Sequence, residues 1–479
     1  MQKTVLLSLE NLAFRLNANK KITYPDCAIP QGAIVGISGN SGSGKSTLLQ
    51  AIAMLLPQNI HVEGVILYTH NEQKYNLLSL SKNQQQYLLQ HEIAIVFQDT
   101  MATLNPTLSV SFQLRESIKL VHPKYTLQAV EQLENAILTE VELEEVQRIK
   151  NSFPHQLSGG QVQRLQIAMA LIKQPKLLLL DEPTTALDVI TQQRILRLLK
   201  RLQHKYNFSV LIASHDHFLL SQFAEQVIYL SPKEDAVNIS KPIQKTTQTS
   251  PLLLLENIYV NFNYKKNTTR ALKNISMTIQ RGEIIAIVGS SGAGKTTLSN
   301  VFLGFVQPTN GKIIKTGKIQ AIFQQAAASL NPRMTVGQLL SEAHSQFPKS
   351  NLLAVCTMYK VEKIWWDKYP HQISGGQQQR VAIARAMLQQ PDIFVADELF
   401  SALDAPTANS ILESLLQIHR QLGTTFIFIT HDIRFALMYC RRVIVMNQGE
   451  VVEDFITDSI TSPHTNYTKQ LIDASNFMD

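Results

Sequence analysis

Two stretches of this sequence space glycines, a lysine and a hydroxyl residue as phosphate chemistry requires: Gly39-Asn40-Ser41-Gly42-Ser43-Gly44-Lys45-Ser46 and Gly289-Ser290-Ser291-Gly292-Ala293-Gly294-Lys295-Thr296. A glycine-rich turn running from a strand into a helix lets backbone N–H groups and the helix N-terminus surround phosphate oxygens. Lys45 or Lys295 then neutralises charge at the β- and γ-phosphates, and the hydroxyl of Ser46 or Thr296 ligates Mg²⁺. An ordinary tight turn also uses glycine, but two copies, each in strand-turn-helix context, argue for the phosphate reading.

Three further constellations occur twice. Asp181-Glu182 and Asp397-Glu398 each close an apolar strand, which presents a carboxylate pair at the sheet edge where ligands bind in open α/β folds. The aspartates are assigned to Mg²⁺ and its waters, the glutamates to orienting and deprotonating an attacking water. Acidic residues after a strand also serve as helix caps, a reading weakened by the matching lysine upstream. His215-Asp216 and His431-Asp432 follow the next strand, 34 residues beyond each aspartate, where a histidine can meet a γ-phosphate. Leu157-Ser158-Gly159-Gly160-Gln161 and Ile373-Ser374-Gly375-Gly376-Gln377 combine a serine with paired glycines at a helix start, which suits a second phosphate contact. Alone, that pattern would read only as a helix-starting loop.

These motifs ride on an internal repeat. The two lysines are 250 residues apart, Gln98 and Gln324 are 226 apart, and the serines, aspartates and histidines are all 216 apart. The first copy therefore carries 24 extra residues before its glutamine and 10 more before its serine, expected in loops or a peripheral subdomain. Short apolar runs at 33–37, 177–180 and 210–213, matched at 284–288, 393–396 and 426–429, read as buried parallel strands. Ile195, Leu198, Leu199 and Leu202, like Ile411, Leu412, Leu415 and Leu416, recur at helical spacing. The fold class is α/β, with a mostly parallel sheet in each half. The expected domains are residues 1–231 and 251–479, joined by a Lys-, Thr-, Ser-, Gln- and Pro-rich linker at 232–250.

Bulk composition agrees. The chain has 479 residues, 44% hydrophobic and 17% charged, enough for two to four cores, which argues against disorder or a disulfide-stapled fold. Half of its 20 glycines occupy the four motif loops. A net charge of +7 is mild for this length and reads as an ordinary solvated surface. Cys27, Cys356 and Cys440 are too scattered for a CxxC site and fit a reducing cytosol. Neither a signal peptide nor an apolar stretch of membrane-spanning length is visible.

Together these motifs resemble two ATP-binding-cassette ATPase domains fused in one chain, P-loop NTPase folds each with a helical signature subdomain. The resemblance covers nearly the whole sequence. It implies an intramolecular head-to-tail pair of domains with each ATP between one P-loop and the other domain's signature. Lys45, Ser46, Gln98, Asp181, Glu182 and His215 would then face Ser374, Gly375, Gly376 and Gln377. Lys295, Thr296, Gln324, Asp397, Glu398 and His431 would face Ser158, Gly159, Gly160 and Gln161. Thr47 and Thr297 join the ATP-binding loops. ATP and Mg²⁺ are the implied cofactors, with Ser46, Gln98, Asp181, Thr296, Gln324 and Asp397 around the metal, and both sites are expected to hydrolyse ATP. The resemblance makes Gln98 and Gln324 sensors of Mg²⁺ and the attacking water, and gives the segment after each to a membrane partner's coupling helix. Adenine would stack on Phe262 in the second domain. Leu16 holds the equivalent place in the first, with Phe14 two residues earlier.

Thr103-Leu104-Asn105-Pro106, Ser329-Leu330-Asn331-Pro332 and the tail Ser462-Pro463-His464-Thr465-Asn466-Tyr467-Thr468-Lys469-Gln470-Leu471 resemble the oligopeptide, dipeptide and nickel importer subfamily, although Asn466 replaces the usual proline. The implied partners are two integral-membrane permeases and, indirectly, an extracytoplasmic binding protein, with the chain peripheral on the cytoplasmic face of the membrane and no nucleic acid involved. Glu398-Leu399-Phe400 in place of the Glu182-Pro183-Thr184 pattern tilts the cargo towards a metal or metal chelate over peptides. An exporter ATPase and a soluble tandem-cassette translation factor are the competing readings. The short, sparsely charged linker speaks against the latter. Trp365 and Trp366 are expected to pack inside the helical subdomain.

Overall fold

A computed structural model describes residues 4–17, 20–40, 42–57, 59–70, 73–184, 187–230, 251–264, 267–323, 329–346, 351–400, 405–457 and 465–476. Ser41, Gln324, the linker and tail residues 462–464 lie outside them. The chain divides into two compact units, Met1–Leu187 with Thr191–Asp235, and Asp188–Ile190 with Ala236–Asp479.

In the first unit, five parallel strands lie in the order Gln226–Tyr229, Ile34–Ser38, Ser209–Ser214, Leu177–Asp181, Ile93–Val96. The three central strands are buried at every position, the result of an apolar run covered on both faces. The second unit repeats this order with Ile319–Ile322, Ile393–Asp397, Thr425–Thr430, Ile284–Val288 and Arg442–Asn447, then adds the antiparallel edge strand Glu450–Ile456. Alternation shows on the strand Ile284–Val288. Ile285 and Ile287 enter one core with Leu298, Val301 and Phe302, while Ile284, Ala286 and Val288 enter the other with the helices.

Each unit also has an antiparallel sheet that the expected fold did not include. Val5–Asn17 pairs with Lys20–Thr23, Cys27–Pro30 and His61–His70, and Leu253–Tyr264 pairs with Asn267–Ile279 and Asn310–Lys315. Register shifts interrupt these strands, for example between Glu10 and Ala13. A one-residue slip exchanges the two faces, so no clean alternation survives in the sequence. The described part of the first copy's 24-residue insertion is not a bare loop. It builds the edge strand Gln73–Asn76 and the helix Lys82–His91, capped reciprocally by Ser81 and Gln84. The later insertion lengthens one helix, Leu127–Glu140 against Leu352–Met358. Trp365 is buried beside Tyr359 and Val361, and Trp366 packs against the same core.

Candidate active site

The two glycine-rich loops each turn from a buried strand into a helix, Lys45–Ile52 or Lys295–Leu303, with Gly44 or Gly294 as N-cap at φ +98° or +97°. Left-handed backbone favours glycine. At Gly294 a Cβ would also come within 2.7 Å of the Ala271 carbonyl oxygen. Gly294→Ala is therefore expected to destabilise the protein by about 1 to 3 kcal/mol, read as a lower urea midpoint. An unchanged midpoint would show that the loop relaxes freely.

Lys45 is 5% exposed, and its Nζ donates to the carbonyls of Gly39 at 2.7 Å and Asn40 at 3.2 Å. Lys295 does the same with Gly289 at 2.7 Å and Ser290 at 2.9 Å. Each lysine thus bridges the loop from within.

Strand order assembles the remaining groups. The strands leading to Lys45, His215, Glu182 and Gln98 are consecutive neighbours in the sheet, so residues far apart in sequence meet at its C-terminal edge. Ser46 Oγ donates to Asp181 Oδ1 at 3.0 Å. Glu182 Oε1 lies 3.6 Å from Lys45 Nζ, while its Oε2 lies 3.2 Å from both Gln98 Nε2 and His215 Nδ1. In the second unit His431 Nδ1 lies 3.4 Å from Glu398 Oε1. Thr296 is exposed, and Gln324 falls outside the described residues.

Backbone geometry aims the glutamates. The Glu182 N–H still donates to Ala213 and that of Glu398 to Ile429, as a continuing strand would, yet φ is +44° and +50°. A non-glycine residue held there is unusual and carries strain of order 1 to 3 kcal/mol. The same conformation at both equivalent positions fits a functional constraint.

Electrostatics follow burial. Asp181 and Asp397 are 5% and 6% exposed. Burial raises the Asp181 carboxyl, opposed by the Ser46 hydrogen bond, while Asp397 is pushed up to about 6 by burial and the Glu398 charge. A buried carboxylate beside a hydroxyl is relieved by a divalent cation, so the donor set fits Mg²⁺. Its hydrogen bond to Glu182 raises His215, the bond from His431 lowers Glu398, and burial lowers Lys295.

The dipeptides divide their labour. Asp216 and Asp432 are N-caps of the helices His217–Phe223 and Ile433–Tyr439, leaving the preceding histidines to face the glutamates. Ser158 and Ser374 are N-caps too. Each side chain accepts from the N–H of Gln161 or Gln377, whose side-chain oxygen in turn accepts from the serine N–H at 2.9 Å. This capping box fixes the loop while the serines stay exposed. A Cβ on Gly160 would come within 2.7 Å of Thr191 Cγ2, which accounts for one of the paired glycines.

Sequence reasoning missed several supports. Tyr24 donates to the Gly44 carbonyl at 3.0 Å. Gln166, on the helix that follows Ser158, donates to Thr100 at 2.7 Å and to Thr103 in the segment after Gln98. Gln113 accepts from the Asn105 N–H at 2.9 Å and folds the Leu-Asn-Pro turn. No local pattern marks these partners. Phe14 is fully buried, edge-on to Tyr24 with centroids 5.0 Å apart, so it has no free face for adenine. Phe262 is 46% exposed, and the Leu16 side chain lies outside the described residues.

A family model described as "ABC transporter" matches residues 24–185 and 272–401. The glutathione import ATP-binding protein GsiA of Shigella dysenteriae serotype 1 (strain Sd197) is 30% identical over 98% of this chain and 89% of its own length. Its namesake from Salmonella choleraesuis (strain SC-B67) is 31% identical over 93% and 85%. A crystal structure of archaeal ribosome recycling factor aABCE1 with the ribosomal stalk protein aP1 matches with a TM-score of 0.66 at 20% identity, covering 97% of this chain and 92% of that one. At that identity the likeness shows the fold alone.

Proposed function

Because the chain belongs to the ABC transporter family, whose ATPase domain it carries twice, we propose that it is the energy-coupling subunit of an importer for glutathione-like short peptides. The family makes it an ATPase. The observation that carries the importer reading is its resemblance, over nearly its whole length, to glutathione import ATP-binding proteins.

In this reading the two units pair head to tail, so that each exposed Ser-Gly-Gly-Gln loop completes the other unit's nucleotide site. The P-loop N–H groups and Lys45 or Lys295 hold the phosphates. Ser46 with Asp181, and Thr296 with Asp397, hold Mg²⁺, which when bound neutralises charge developing on the phosphates. Gln98 and His215 orient the Glu182 carboxylate, which takes a proton from the attacking water. Glu398 and His431 do the same in the second unit, with Gln324 assigned the place of Gln98. Closure of the units on two ATP turns a pair of permeases outward, and hydrolysis resets them. Among the described residues no helix is long and apolar enough to cross a membrane, in keeping with a peripheral subunit docked on the cytoplasmic side of its permeases.

The Glu398-Leu399-Phe400 variation tilts towards a metal cargo, whereas the likeness to glutathione import proteins favours peptides; the two varied side chains themselves pack inside the unit. Leu399 is 2% exposed, and the Phe400 ring clusters with those of Phe428 and Phe435, centroids 6.0 and 5.2 Å away. A deletion strain tests the cargo. Uptake of labelled glutathione or short peptides should fall to background and return with the wild-type gene but not with Glu182→Gln. Normal peptide uptake with loss of nickel-chelate uptake would reverse the assignment.

A further inference from the structure

Tyr467, in the C-terminal tail, reaches the second glycine-rich loop. The N–H of Ser290 donates to Tyr467 Oη at 3.0 Å. The same residue's carbonyl, with that of Gly289, accepts from Lys295 Nζ, so the start of the loop is held from two sides. Gly289 lies against the strand Arg442–Asn447, where a Cβ would come within 2.2 Å of the Met446 carbonyl oxygen.

Tyr467 can act as a fixed acceptor because its helix, Asn466–Asn476, is itself anchored. The Thr465 hydroxyl and N–H both donate to Glu453 Oε2, at 2.8 and 3.2 Å. Thr468 is fully buried, within 2.7 Å of the Thr465 hydroxyl, and Leu471 is 1% exposed in the core that Tyr467 also packs against. The first unit's described residues end at Leu230 and hold no such tail against Asn40.

We propose that Tyr467 is a positioning residue for nucleotide binding at the second P-loop, ordering its leading peptide groups before ATP arrives. This rests on the reading of residues 289–296 as a phosphate cradle. Tyr467→Phe keeps the ring and removes only the hydroxyl, whose oxygen accepts from Ser290. In the full-length chain carrying Lys45→Ala, so that the second loop is the one measured, Tyr467→Phe should raise the Kd for ATP roughly three- to tenfold, the effect of one hydrogen bond. Unfolding without nucleotide should shift by no more than the loss of that one hydrogen bond, leaving the chain fully folded at the assay temperature. In a Lys295→Ala background the same substitution should leave ATP binding at the first loop unaltered.

A Kd equal to that of the parent, or an equal rise in the Lys295→Ala background, overturns the role of Tyr467. So does a variant that is partly unfolded at the assay temperature, since the weaker binding would then follow from the lost fold. Failure of the underlying reading looks different: Lys295→Ala by itself would then leave ATP binding at full stoichiometry.

Discussion

Replacing Glu182 and Glu398 together by glutamine is expected to lower steady-state ATP turnover by about 10²- to 10⁴-fold, the usual contribution of a general base, with ATP binding retained. Glutamine keeps the side chain's size and can still hydrogen-bond to the groups around it. What it loses is the charge beside Lys45 Nζ and the basic oxygen that His215 and Gln98 orient from 3.2 Å. Phosphate release measured alongside nucleotide binding on the purified chain separates the two effects. Turnover near wild type in the double variant would remove the glutamates from the chemistry. Each single variant should also be severely impaired, since both units carry a glutamate in the same left-handed conformation beside a histidine. A nearly silent Glu398→Gln would mark the second site as degenerate.

The second large effect is on stability. Glu134 is fully buried, 2.9 Å from Arg115 Nε and 3.3 Å from Lys150 Nζ, whose side chain is 4% exposed. These residues belong to three different helices, Val110–Val121, Leu127–Glu140 and Val146–Asn151, in the part of the unit that leads to the Ser158 loop. Glu134→Ala leaves the buried Lys150 with Asn135 Oδ1 at 3.0 Å and only the exposed Glu131 carboxylate, 3.8 Å away, to balance its charge, and should cost about 3 kcal/mol. Glu134→Leu with Lys150→Met removes both charges and should recover most of that loss, because desolvating a buried pair offsets much of its attraction. Urea titration of the three proteins, wild type included, gives the comparison. A Glu134→Ala variant as stable as wild type would mean that water or a local shift solvates Lys150.

The groups proposed to act on ATP were legible because each is a short motif of fixed chemistry, and the repeat supplied two independent copies in one register. The parallel strands were legible for a related reason: a strand buried on both faces must be apolar throughout. The antiparallel sheets were hidden by register shifts. The supports at Tyr24, Gln166 and Tyr467 were hidden because their partners lie 20 to 177 residues away, beyond any local periodicity.

The sequence by itself determined the reaction class, since glycine at the phosphate loops, lysine, paired carboxylates and histidine are chemical necessities that show as residue types. Only the tertiary structure decided how those groups divide the work. Strand order places Glu182 among Lys45, Gln98 and His215, a left-handed backbone aims it, capping takes Asp216 out of the chemistry, and burial takes Phe14 away from adenine. These outcomes depend on which strands are neighbours and which faces are covered, and a residue's type does not encode either.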